Sequence, residues 1–153
     1  MIRKVMNLKT VKMSDLSFDP QLFRPMKSGR VIDSHFSSEG GLMKGTNYAI
    51  VGDPGIGKTT VMLDMLADLQ AKGQKVLFIS GEMNQIDMFG YVKRFPKFGE
   101  LPILFMGDYC DDNALDVIKS ILSEGWDSVL IDSMAEIQNA VVDTAKGYYS
   151  SKK

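Results

Sequence analysis

Residues 52 to 59 read Gly52-Asp53-Pro54-Gly55-Ile56-Gly57-Lys58-Thr59, which fits G-x-x-x-x-G-K-[ST] at every fixed position. No other stretch restricts the fold so tightly. A run of this kind needs a strand to enter it and a helix to leave it. On the entry side, Tyr48-Ala49-Ile50-Val51 is a short continuous apolar run, as a buried strand requires. On the exit side, Met62, Met65, Leu66 and Leu69 recur at i, i+3, i+4 and i+7, which makes one apolar helical face, and Gly73 stands where that helix would end.

The rest of the chain repeats the theme. Val76-Leu77-Phe78-Ile79, Ile103-Leu104-Phe105-Met106 and Val129-Leu130-Ile131 are again short apolar runs, the pattern of parallel strands covered on both faces. Met88, Tyr91, Val92 and Phe95 repeat the helical spacing, with Asn84 as cap and Pro96 as stop. Ala114, Val117, Ile118 and Ile121 do so once more, closed by Gly125. Strand and helix therefore alternate three times, which predicts crossovers onto a parallel sheet with binding groups gathered where strands end and helices begin. Residues 1–45, broken by Pro20, Pro25, Gly29, Gly40, Gly41 and Gly45, read as an irregular lead-in. Residues 46–134 form the core, and 135–153, where periodicity fades after Ala140, read as a mobile or truncated tail.

Size and charge set the outer limits. With 153 residues, 44% of them hydrophobic, there is material for one domain with a real core. The formal charge of -1 provides no global positive field for nucleic acid or membrane. The single cysteine, Cys110, excludes an internal disulfide or a multi-cysteine zinc site, which points to a reducing compartment and the cytoplasm. No stretch approaches the roughly 18 apolar residues of a membrane helix. His35 lacks a ligand partner at any useful spacing, and Cys110 reads as an idle thiol. Arg24, Lys27 and Arg30, and separately Lys146, Lys152 and Lys153, are basic enough to meet nucleic-acid phosphates, but solvated surface charge is the favoured reading.

In the 52–59 loop, glycines let the backbone curl so that successive N–H groups face one anion, and the helix starting near Lys58 aims its positive end there. A nucleoside triphosphate suits that concavity. Gly52, Asp53, Pro54, Gly55, Ile56, Gly57, Lys58, Thr59 and Thr60 are thus expected to cradle ATP. Lys58 would reach the β- and γ-phosphates, the Thr59 hydroxyl would hold magnesium, and Thr60 would add a contact to the α-phosphate. Asp132, at the end of Val129-Leu130-Ile131-Asp132, is the expected second metal residue, the plain alternative being a helix or turn cap. Glu82, after Phe78-Ile79-Ser80-Gly81, is the candidate catalytic base, with a solvated loop acid as its alternative.

Gly-Asp-Pro-Gly-Ile-Gly-Lys-Thr, Ile-Ser-Gly-Glu and Leu-Ile-Asp-Ser together resemble the core of the RecA superfamily and, within it, RadA. Gly40-Gly41-Leu42-Met43-Lys44-Gly45 is similar to the glycine-rich lead-in of RadA and KaiC proteins, and Glu82-Met83 resembles the DnaB helicase branch. The likeness runs from about residue 28 to residue 134. It implies an α/β three-layer sandwich with a mostly parallel sheet, Lys58 and Thr59 on phosphate and magnesium, Asp132 as the second metal acid and Glu82 as the base. It also implies a DNA-dependent ATP hydrolase of recombination, repair or replication that assembles as a ring or filament on DNA, single-stranded by preference.

Two departures qualify that implication. RadA proteins begin with a four-cysteine zinc module, which one cysteine cannot build. In the RecA core, the strand that follows the metal acid inserts between the Asp132-type strand and the phosphate-loop strand. Only about twenty residues follow Asp132, and Ile137 to Val142 is a poor candidate for that strand. The resemblance therefore implies an incomplete core with a gap in its sheet. It leaves as alternatives a nucleotide-gated binding module without turnover, a DnaB-like replicative helicase fragment and an inert remnant.

Overall fold

The computed structural model describes residues 8–109 and 113–150. Cys110 and residues 151–153 of the expected tail lie outside the described residues. At the centre is β1 (Val76–Ser80), buried along its whole length. Its alternating side chains divide the core in two. Val76 and Phe78 enter one apolar cluster, Leu77 and Ile79 the other.

β2 (Ile103–Phe105) and β3 (Ser128–Asp132) flank β1, both parallel to it, in the order β2-β1-β3. The first cluster holds α1 (Lys58–Ala71) through Leu63, Met65, Leu66 and Leu69. Met88, Tyr91 and Val92 of α2 (Gln85–Arg94) pack on the same side. The second cluster takes Ala114, Val117, Ile118 and Ile121 of α3 (Ala114–Ser123), together with Ile137 of α4 (Met134–Ser150). Helices thus cover both faces of an open parallel sheet, the three-layer α/β arrangement expected. Among the described residues, no helix is long and apolar enough to cross a membrane.

Local chemistry sets the element boundaries. Asn84 and Asp87 form a reciprocal capping box at the start of α2, and Pro96 stands just past its end. Asn113 caps α3 by accepting from the Asp116 N–H at 3.2 Å. The fading periodicity after Ala140 hides a helix, because Ile137, Ala140 and Val141 still supply the stripe that α4 packs into the second cluster.

One expected strand is absent. Tyr48–Val51 is not a strand, and Val51 is 91% exposed. The reason lies at the far edge of the sheet. β3 pairs with β1 alone, so a strand is needed between β3 and the 48–51 run before that run can complete a ladder. Without a neighbour to take its N–H and C=O groups, an apolar run has no reason to hold strand geometry. The gap that the resemblance implied is therefore real among the described residues.

The lead-in is held to the outer side of α1. Met26 and Leu42 exchange two backbone hydrogen bonds of 2.8 and 2.9 Å and enter the first cluster together. Buried Asp33 closes the adjoining turn, accepting from the Ser28 N–H at 3.1 Å, the Ser28 hydroxyl at 2.6 Å and the Gly29 N–H at 2.8 Å. Burial alone would raise its pKa, but these three donors outweigh it and leave the carboxyl below its ordinary range. A depressed carboxyl stabilises the fold above its unfolded pKa, and that contribution disappears as pH falls through the folded value. Asp33→Asn must turn an NH2 toward one of the donors, so it is expected to cost about 1–3 kcal/mol at neutral pH. Urea unfolding should find the two proteins converging in stability below about pH 4.

Candidate functional site

The 52–57 loop enters α1 through two glycines in left-handed backbone, Gly55 at φ +78° and Gly57 at φ +95°. Side chains rarely tolerate that region, which accounts for glycine at Gly57, a fixed position of the pattern, and at the variable position Gly55. Gly57 caps the helix with its backbone, its carbonyl accepting from the Val61 N–H at 3.0 Å. The N–H groups of Lys58, Thr59 and Thr60 belong to the first turn and have no carbonyl within the helix to donate to. Together with the positive end of α1, they make a concavity whose electrostatics suit an anion. The Lys58 ammonium lies against the same loop, donating to the carbonyls of Gly52 at 2.5 Å and Asp53 at 2.7 Å. Pro54 and Ile56 are exposed at the loop tip.

Asp132 ends β3 and is 73 residues away from Thr59 in sequence, yet the Thr59 hydroxyl donates to its Oδ2 at 2.5 Å. The fold thus brings together the two residues expected to hold metal. Paired oxygen donors suit a hard divalent cation, whose remaining positions water and phosphate would fill. Among the described residues, no group of three or more His, Cys, Asp or Glu side chains could hold a metal. His35 is exposed, its Nδ1 3.4 Å from the Ser34 hydroxyl.

Glu82 reaches the same end of the sheet by register. Ser80 of β1 is the Cα partner of Asp132, and the Gly81 N–H donates to the Asp132 carbonyl at 2.8 Å. Glu82 follows directly and is exposed. A cleft of about 920 Å³ opens beside Thr59 and Asp132, with Tyr48, Met62, Trp126 and Leu130 on its walls. It occupies the side of β3 where the sheet is unfinished.

Two features escaped the sequence. Ser80 is 1% exposed and bonds twice to Met83 across the turn that bears Glu82, and its signal was a hydroxyl ending an otherwise apolar strand. Arg30 is not a free cation, because it pairs with Asp64 and Asp68 on α1, where Lys97 also binds both carboxylates at 2.5 and 2.9 Å. All three residues of the basic trio read as surface charge, Arg24, Lys27 and Arg30, are exposed.

A parallel sheet covered on both faces, with this loop and the Thr59–Asp132 contact at its carboxyl edge, defines an incomplete α/β core of the RecA-like kind. Sequence comparison narrows the class. DNA repair protein RadA of Helicobacter pylori strain J99 is 45% identical over 114 residues, covering 72% of this chain and 24% of that protein. RadA of Aquifex aeolicus is 31% identical over 111 residues, 72% of this chain and 24% of that protein. RadA of Campylobacter jejuni is 28% identical over 109 residues, 71% of this chain and 23% of that protein. The chain is therefore RadA/RecA-like across this stretch, and it spans about a quarter of the length of the curated relatives it matches. No family model matches the chain, and no solved structure matches it.

Proposed function

We propose that the chain binds ATP with magnesium at Gly52–Thr60 and hydrolyses it, as the nucleotide-binding part of a DNA-dependent ATPase of repair or recombination. The contact between Thr59 and Asp132 carries this reading. A hydroxyl at the start of the loop helix and a carboxylate at the end of a parallel strand converge although far apart in sequence. Such convergence has an obvious use if both hold one cation. Lys58 and the first-turn N–H groups would bind the phosphate tail, with Lys58 exchanging its two loop carbonyls for β- and γ-phosphate oxygens. Magnesium, when bound, would neutralise charge building up between those phosphates.

Glu82 would take a proton from the attacking water. The water oxygen bonds to the γ-phosphorus as the bond to the β-phosphate oxygen breaks, so ADP and phosphate leave and the carboxyl returns its proton to solvent. Relatives named as DNA repair proteins support the DNA role, and self-association as a ring or filament on single-stranded DNA belongs to the same reading. The helicase alternative rests on Glu82-Met83 alone.

The unfinished edge of β3, next to Asp132, favours a second reading in which ATP gates binding to a partner without turnover. Calorimetric titration with ATP and ADP, with and without magnesium, followed by phosphate release with and without single-stranded DNA, separates the two. Magnesium-dependent ATP binding with DNA-stimulated release is expected. Tight binding with no release would favour the gate, and no binding of either nucleotide would end both.

A further inference from the structure

We propose that Ser80 is a positioning residue, whose buried hydroxyl clasps Met83 so that the intervening turn presents Glu82 at the end of β1. The proposal rests on the reading of Glu82 as the residue that activates water. Ser80 is a misfit where it stands. It follows four apolar residues in a fully buried strand, a place where a hydroxyl is costly unless it is bonded. Both of its bonds go to one residue: the hydroxyl donates to the Met83 carbonyl at 2.9 Å and accepts from the Met83 N–H at 3.2 Å. A ring is thereby closed around Gly81 and Glu82.

The ring is pinned at its other points as well. The Gly81 N–H is tied to the Asp132 carbonyl at 2.8 Å, and a side chain at Gly81 would press on Glu136 Cβ at 3.0 Å. Met83 packs against the first core cluster, and Asn84 opens the capping box of α2. Glu82 is exposed, and its side chain makes no hydrogen bond or ion pair with any described residue. A carboxylate left free on a fixed backbone is what a water-activating residue needs, because displacement of about 1 Å at such a centre costs on the order of 100-fold in rate. If the turn only joined β1 to α2, Ser80 would matter for stability and not for the chemical step.

The test uses phosphate release and ATP affinity of the full chain, with magnesium and single-stranded DNA, in four proteins: unsubstituted, Ser80→Ala, Glu82→Gln and the double variant. Ser80→Ala is expected to lower kcat by about 10- to 100-fold with ATP affinity within about twofold. In the Glu82→Gln background the same change should produce no further loss, since Ser80 acts through Glu82. Ser80→Thr keeps the hydroxyl but overfills a buried site, so it should unfold more easily yet keep its rate within about threefold. Turnover by Ser80→Ala equal to that of the unsubstituted chain, or an equal loss in both backgrounds, overturns the proposal and leaves the hydrolytic reading standing. If the unsubstituted chain releases no phosphate, or Glu82→Gln releases it normally, the hydrolytic reading fails and this inference falls with it.

Discussion

Replacing Glu82 by glutamine is expected to lower phosphate release from ATP by about 10²–10⁴-fold while nucleotide affinity stays within about threefold. The amide matches the carboxylate in size, but it cannot accept the proton that the attacking water must lose. Position makes the substitution clean. Glu82 is exposed just past the end of the central strand, and its side chain makes no hydrogen bond or ion pair with any described residue, so among these residues the exchange removes no polar contact. Single-turnover phosphate release, read beside the dissociation constant for ATP with magnesium, resolves the two effects. A variant that hydrolyses ATP at the parental rate would remove Glu82 from the chemistry. One that fails to bind ATP would mean the carboxylate serves binding and not the chemical step.

How much of this was legible depends on where each element gets its partners. β1, β2, β3 and the helices α1 to α3 were readable because their apolar patterns are local, and Asn84 and Gly125 announce their ends in the sequence. The run Tyr48–Val51 has an equally good pattern and is no strand, since strand identity depends on a neighbour at the far edge of β3 that no described residue provides. Helix α4 was hard to see because, among its described side chains, the stripe on the core is short: Ile137, Ala140 and Val141. At the site, motif chemistry nominated Lys58, Thr59, Asp132 and Glu82 one by one. It said nothing of their distances, so the direct Thr59–Asp132 bond is structural information. The Lys58 contacts to Gly52 and Asp53 and the Ser80 clasp on Met83 were equally hidden, because side-chain-to-backbone bonds leave no periodic trace.

Asp132→Ala carries the sharpest sign. If Thr59 and Asp132 hold magnesium, the substitution should lower turnover by about 10²–10³-fold, the several kcal/mol expected of a metal clamp. Affinity should respond differently for the two forms of the nucleotide. ATP with magnesium should bind more weakly, because the cation loses one of its two protein oxygens. ATP without magnesium should bind as well as before or better, because Asp132 Oδ2 lies 2.5 Å from the Thr59 hydroxyl, close enough for its charge to repel an unneutralised phosphate tail. A residue that merely capped α4 or braced the loop would weaken both forms alike through lost structure. Titrations of the two nucleotide forms against both proteins, with thermal unfolding to check that the fold survives, give the comparison. Parallel losses would assign Asp132 to the scaffold, and a selective loss of the metal-bound form would assign it to the cation.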